Sequence, residues 1–338
     1  MIKLQSASLR EFQKQASQIQ SNTLLPILGN LKIEVTDVCA VTKNSISAIC
    51  IGQVIHEGET QKILVPERIL FAALAVTQDE WITIDNGVIK FGSDTIQFTP
   101  EDVNVFPLSP TIPDQPPFVL AKEHIKAIGI AAEYINQGQN AGSFGFVHLA
   151  EESIFAFHPN YFYINNSFTG LPTTGFSKDE AAVICSKESI EFLDLQNHHV
   201  FFTPGYTYIF TKAEIATPKL TQVVDRLRLP GKSFTCNKGE LVNFLNLANT
   251  VSESEIATCT MDRSGLFARL LMNDQNYGRG NERIMTVTGE LDEFTFNSRL
   301  IITSMKSIPY ETLNAKTNQN CLIIQAGEEW FCFIGMSK

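Results

Sequence analysis

No G-x-x-x-x-G-K-[ST] phosphate loop, no G-x-S-x-G elbow and no H-E-x-x-H pair occurs in the 338 residues. Nucleotide hydrolysis, serine hydrolysis and zinc proteolysis therefore have no carrier here. Histidine is scarce: His56, His124, His148, His158, His198 and His199. The adjacent pair His198–His199 sits just before a predicted strand, where neighbours point to opposite faces, so it makes a poor chelate. No metal and no cofactor is expected, and no enzymatic activity has positive support. The seven cysteines form no C-x-x-C pair and are odd in number, which points to reduced structural thiols in a cytoplasmic protein. No run approaches the 18 or more apolar residues of a membrane span, and Met1–Gln20 is polar and charged rather than signal-like. A formal net charge of −10 excludes a uniformly basic nucleic-acid binder but not a local basic face. Gly278-Arg279-Gly280 is one lone copy in a polar stretch and reads as a plain loop.

What is present is a unit that recurs three times, as strand, helix and hairpin. The first copy is Ile63–Pro66, helix 67–76 and a hairpin about Asn86-Gly87. The second is Ala182–Cys185, helix 187–195 and a hairpin about Pro204-Gly205. The third is Glu293–Phe296, helix 298–308 and a hairpin about Ala326-Gly327. Asn-Gly between alternating apolar runs is the strongest of these turn signals. The proline-rich stretch Ser109–Pro117 and the shorter Leu229–Ser233 punctuate the chain. They divide it into 1–112, 113–229 and 230–338. A helix opens each third: 8–20, 122–136 and 238–249. The last of these carries Leu241, Phe244, Leu245 and Ala248 at i, i+3, i+4, i+7. The predicted class is α+β: three tandem copies of a domain with two helices on an antiparallel sheet.

Thr23-Leu24-Leu25-Pro26-Ile27-Leu28-Gly29-Asn30 resembles, with one extra Leu, the T-L-P-I-L-G-N segment of the bacterial sliding clamp, the beta subunit of DNA polymerase III. Val65-Pro66, Phe106-Pro107, Lys212–Pro218, Phe296-Asn297 and Phe333-Ile334-Gly335-Met336 extend the resemblance over all three thirds in the family's order. The resemblance implies the DNA clamp fold and a non-catalytic homodimeric ring of six domains. That ring encircles duplex DNA and tethers DNA polymerase and clamp-loader subunits through their clamp-binding peptides. Two departures stand out. Thr42-Lys43-Asn44 occupies the region of the family's T-D-L-E-like stretch, and Pro159-Asn160-Tyr161 replaces the Gly-His-Arg of its peptide cleft.

Residues carry over as follows. Inner helices facing DNA need cations that attract phosphate without reading sequence. The predicted helices supply Arg10, Lys14, Arg68, Lys122, Lys126, Lys187, Lys238, Arg299 and Lys306. Eight acids share those helices, so they are near neutral while the rest of the chain is acidic. Each lysine also fits an ordinary solvated helix face; Arg299 and Lys306 have no acid in their helix. The resemblance places the peptide cleft at Asn160, Tyr161, Phe162, Pro218, Gln222, Val223, Phe333, Ile334, Gly335 and Met336. Of these, Phe162, Val223 and Phe333 equally fit core positions. It places the ring interface at Ile96, Phe98, Thr250 and Val251, although Ile96 and Phe98 also suit their own core. Two other readings stay open: a clamp paralogue that docks proteins outside replication, and an enzyme on a three-fold repeat.

Overall fold

The computed structural model describes residues 1–19, 25–135, 141–216, 218, 220, 225, 227, 229–251, 258–264, 267–274, 278–292, 294–306, 308, 310–318 and 321–334. These divide into two compact units, one of 1–122 with 182–214 and one of 123–181 with 215–338.

One strand pattern recurs three times. A four-stranded antiparallel set is followed by a three-stranded meander, whose first strand pairs with the strand that opens that third. In the first third the set is Asn30–Val35, Cys39–Asn44, Ala48–Val54 and Gln61–Pro66, with Gln61–Pro66 returning to pair with Asn30–Val35. Val147–Glu151, Ser153–His158, Tyr161–Asn165 and Leu171–Phe176 repeat it. So do Thr258–Ser264, Phe267–Asp274, Gly278–Gly289 and Phe294–Asn297. The meanders are Trp81–Asp85, Val88–Phe91, Asp94–Gln97; then Ile190–Asp194, His198–Thr203, Tyr206–Thr211; then Thr312–Asn318, Cys321–Ala326, Glu329–Ile334. Their opening partners are Ile2–Gln5, Phe118–Leu120 and Lys232–Asn237.

This order corrects the register of the repeat. The turn equivalent to Gly205 and Gly327, before the last meander strand, is Gly92-Ser93 and not Asn86-Gly87. Asn86-Gly87 closes the preceding hairpin, with φ of 47° and 78°. That is the left-handed pair a tight two-residue hairpin demands. A Cβ on Gly87 would lie 2.6 Å from the Phe98 carbonyl oxygen, so the position requires glycine.

The second third holds a second correction. Helix and strand are exchanged: Lys178–Cys185 is the helix and Ile190–Asp194 a strand. Charges at Glu188, Glu191 and Asp194 gave the stretch a helical look, but Ile190 and Phe192 alternate onto the buried face. The helix has a capping box. Ser177 N–H donates to Glu180 Oε2 (2.7 Å) and Glu180 N–H donates to Ser177 Oγ (3.3 Å). This S-x-x-E signature stands in the sequence and fixes the helix start. The Gly278-Arg279-Gly280 stretch, expected as a loop, opens the strand Gly278–Gly289.

Other helices among the described residues are Ser6–Ala16, Glu67–Val76, Lys122–Ala132, Lys238–Val251 and Ser298–Met305. The first buries Leu9 and Phe12 at i, i+3, and the third buries Ile125 and Ile128 in the same way. Burial of Cys39, Cys50 and Cys236 pushes their thiols up, to about 11, about 12 and about 12. These thiols stay protonated and unreactive at neutral pH.

The departure at Thr42-Lys43-Asn44 is structural. All three side chains are buried, and the Lys43 ammonium, 3% exposed, pairs at 2.9 Å with Glu67 at the first position of its helix. The helix N-terminus favours that carboxylate further. Replacing Lys43 by alanine leaves Glu67 with little water and without this cation. The substitution is expected to cost about 3 kcal/mol, read as a lower urea midpoint with unchanged slope.

Candidate partner cleft, ring edges and nucleic-acid face

The expected cleft residues meet on two adjoining strands, Tyr161–Asn165 and Glu329–Ile334, with Tyr161 opposite Phe333 and Phe162 opposite Cys332. The Ile334 N–H donates to the Asn160 carbonyl (2.8 Å), tying the exposed turn at Asn160 to the end of the last strand. Strand alternation then sorts them. Tyr161 lies on the face of Tyr134, edge-on to its ring at 5.3 Å. Phe333 has the same parity as Phe331, which also packs toward Tyr134. Phe162 points to the opposite face, into a cluster with Phe155, Phe157, Ile164, Leu227, Ile323 and Cys332. Phe162 and Phe333 are buried, at 4% and 2% exposure. Pro218 is half-buried, and Gln222, Val223, Gly335 and Met336 lie outside the described residues. Leu220 and Trp330, packed at the border of this cluster, escaped sequence reasoning. The signal for Trp330 was the cross-strand alternation, which becomes readable only once its pairing partner Ile164 is known.

His148 lies beneath this region, fully buried and stacked on Phe155 at 5.3 Å. Its Nε2–H donates to the Ser143 carbonyl (2.7 Å), while Nδ1 is buried without a partner among the described residues. Burial depresses its pKa, and the Ser143 contact only partly opposes this. The unfolded chain therefore takes up a proton first. Stability is fully present above the ordinary histidine value of about 6.5 and falls as pH drops below it. Thermal midpoints measured from pH 7.5 to 5 are expected to fall, and His148→Asn, unable to titrate, is expected to flatten that slope.

The strand edges differ among the three repeats. Tyr206–Thr211, the last meander strand of the second third, pairs with Ala48–Val54. Glu329–Ile334, its equivalent in the last third, pairs with Tyr161–Asn165. The first third's equivalent, Asp94–Gln97, ends its sheet with no outer neighbour among the described residues. The strand that corresponds to Ala48–Val54 and Tyr161–Asn165 in the last third is Gly278–Gly289. It pairs with Phe267–Asp274 on one edge and meets Lys232–Asn237 on the other only through 287–289. Among the described residues, these two strands of the recurring pairing are thus left without their counterpart. Ile96 and Phe98 lie at the first of them, both half-buried. Thr250 and Val251 end the helix Lys238–Val251.

Eight of the nine candidate cations separate by their partners, and the side chain of the ninth, Arg299, lies outside the described residues. Arg10 Nη2 donates to the Leu74 carbonyl (3.2 Å) and the Thr77 carbonyl (2.6 Å), at the C-terminal end of the helix Glu67–Val76. Lys238 Nζ donates to the Ile308 carbonyl (2.8 Å), just beyond the helix Ser298–Met305. In both repeats a base on the opening helix donates to carbonyls at, or just beyond, the end of the second helix. Lys187 is not on a helix. Its ammonium donates to Gln15 Oε1 (2.6 Å) above the Tyr208 ring, and burial lowers its pKa. Lys14, Arg68, Lys122, Lys126 and Lys306 are exposed.

No family model matches the sequence, and no curated protein does. Solved structures do. The DNA polymerase III subunit beta from Pseudomonas aeruginosa superposes over the whole of both chains, with 15% identity and a TM-score of 0.86. The DNA polymerase sliding clamp from Bacillus subtilis covers 100% of this chain and 99% of its own, at 12% identity and a TM-score of 0.88. The beta subunit from DNA polymerase of Streptococcus pyogenes spans both chains fully, at 14% and 0.85. The chain has the DNA clamp fold from end to end.

Proposed function

We propose that the protein is a DNA sliding clamp: three clamp domains, 1–112, 113–229 and 230–338, that dimerise into a six-domain ring around duplex DNA. In this reading it is non-catalytic and cytoplasmic. It tethers DNA polymerase and clamp-loader subunits through peptides held near Phe162, Pro218 and Ile334. The pair of leftover edges carries the proposal. The same two kinds of strand pair twice within the chain, and a second copy offers its Gly278–Gly289 edge to Asp94–Gln97 and the reverse. Two such contacts close a ring and pair the one last-meander strand that has no outer neighbour among the described residues. Electron microscopy of the purified protein tests it. Closed rings with a hole wide enough for duplex DNA are expected; a monomer at micromolar concentration contradicts the ring.

A second reading rests on specific observations. Pro159-Asn160-Tyr161 stands where the clamp family has Gly-His-Arg, and Arg10, Lys187 and Lys238 hold intramolecular partners. A clamp paralogue serving as a protein-docking scaffold would keep the ring without loading on DNA. Pull-down against the replicative polymerase of the same cell separates the two readings.

A further inference from the structure

We propose that Lys187 is a modification site, whose amine takes an acetyl group from a small acyl phosphate drawn in by Lys14. Among the described residues Lys187 Nζ has one hydrogen-bond partner, the neutral side-chain oxygen of Gln15 (2.6 Å). The same oxygen accepts from the Tyr208 hydroxyl (2.8 Å), and the Lys187 nitrogen stands 5.9 Å from the centre of the Tyr208 ring. These residues all belong to the unit of 1–122 with 182–214.

The groups that face this amine decide its charge. Glu11 accepts from Gln15 Nε2 (2.7 Å), and among the described residues no ion pair joins it to Lys187. Burial is the largest influence and lowers the Lys187 pKa; Glu11 opposes it and Lys14 adds to it. Burial pushes Cys50 up to about 12 and raises Tyr208, so both are neutral near pH 7 and add no charge. A lysine short of water and beside another cation holds a larger share of free amine, which is the nucleophile. Lys187 is only half-buried, so part of the side chain stays open to a small donor. Lys14, exposed on the helix Ser6–Ala16, is the cation that attracts the donor's phosphate.

In the reaction the free amine attacks the acetyl carbonyl carbon. A C–N bond forms, and the C–O bond to phosphate breaks with its electron pair leaving on the phosphate. The surplus proton of the amine goes to solvent, and nothing is oxidised or reduced. The product is a neutral amide. Its remaining N–H donates to Gln15 Oε1 as the ammonium did, so the tie to the first helix is kept while one positive charge is lost. Glu11 disfavours an anionic product such as a carbamate at the same place.

The test incubates the full-length protein with acetyl phosphate near neutral pH and follows each lysine by peptide mass spectrometry. Lys187 is expected to react about threefold or more faster than exposed Lys122 and Lys126. Glu11→Gln is expected to speed the reaction at Lys187. Lys14→Gln is expected to slow it about twofold more with acetyl phosphate than with the uncharged donor p-nitrophenyl acetate. A Lys187 rate at or below those of Lys122 and Lys126, or equal slowing with the two donors in Lys14→Gln, overturns the proposal.

Discussion

Lys122→Glu with Lys126→Glu is expected to abolish retention of the protein on closed circular duplex DNA while leaving the fold intact. The two lysines stand one turn apart on the helix Lys122–Ala132. Both are exposed, whereas Ile125 and Ile128 of that helix are buried. A ring that slides needs phosphate attraction spread over such cations with no base contacts, and each cation removed should flatten the salt dependence by about 0.9 in log–log slope. Arg299→Glu with Lys306→Glu is expected to behave alike. Arg10→Ala and Lys238→Ala provide the contrast. Their bonds run to helix-end carbonyls, so the loss should appear as about 1 kcal/mol of stability with retention unchanged. Filtration of loaded circular DNA, beside urea unfolding of each variant, checks both halves. Full retention by the Lys122/Lys126 variant contradicts the DNA-facing assignment.

Ile96→Asp with Phe98→Asp is expected to turn the proposed dimer into a monomer. Ile96 lies on the open-edged strand Asp94–Gln97 and Phe98 just past its end, and both are only half-buried within their own chain. Covering two large apolar side chains contributes about 3–6 kcal/mol, so the dissociation constant should rise by about two to four decades. Sedimentation across a concentration series reads this directly. The circular dichroism should not change, because the backbone of this strand is already held by Val88–Phe91. A dimer of unchanged strength would move the interface elsewhere.

Local signals carried much of the fold. Alternating runs and Asn86-Gly87 placed the first hairpin to the residue, and Pro66 followed by Glu67 placed the start of the second helix. At Lys187–Leu195 they misled, because acids spaced like a helix obscured a short buried strand, while the capping box at Ser177 and Glu180 went unread. The candidate site was less legible. Asn160, Phe162 and Ile334 were placed near one another, but Tyr161 and Phe333 turn to the opposite face of the sheet from Phe162. The partners of Arg10 and Lys187 lie 64 or more residues away, so nothing near either residue announces its role.

By itself, the sequence determined the three-fold recurrence, the helices that open each third, the hairpin turns and the absence of familiar catalytic motifs. Turn chemistry, periodicity and composition act over a few residues and can be read in order. The tertiary structure decided which strand edges are paired and which are left open. It also decided which cations cap helices and which face water, and that Lys43 is a buried ion-pair partner. Those outcomes depend on which distant segments meet, and that is fixed by mutual burial of whole faces rather than by any local preference.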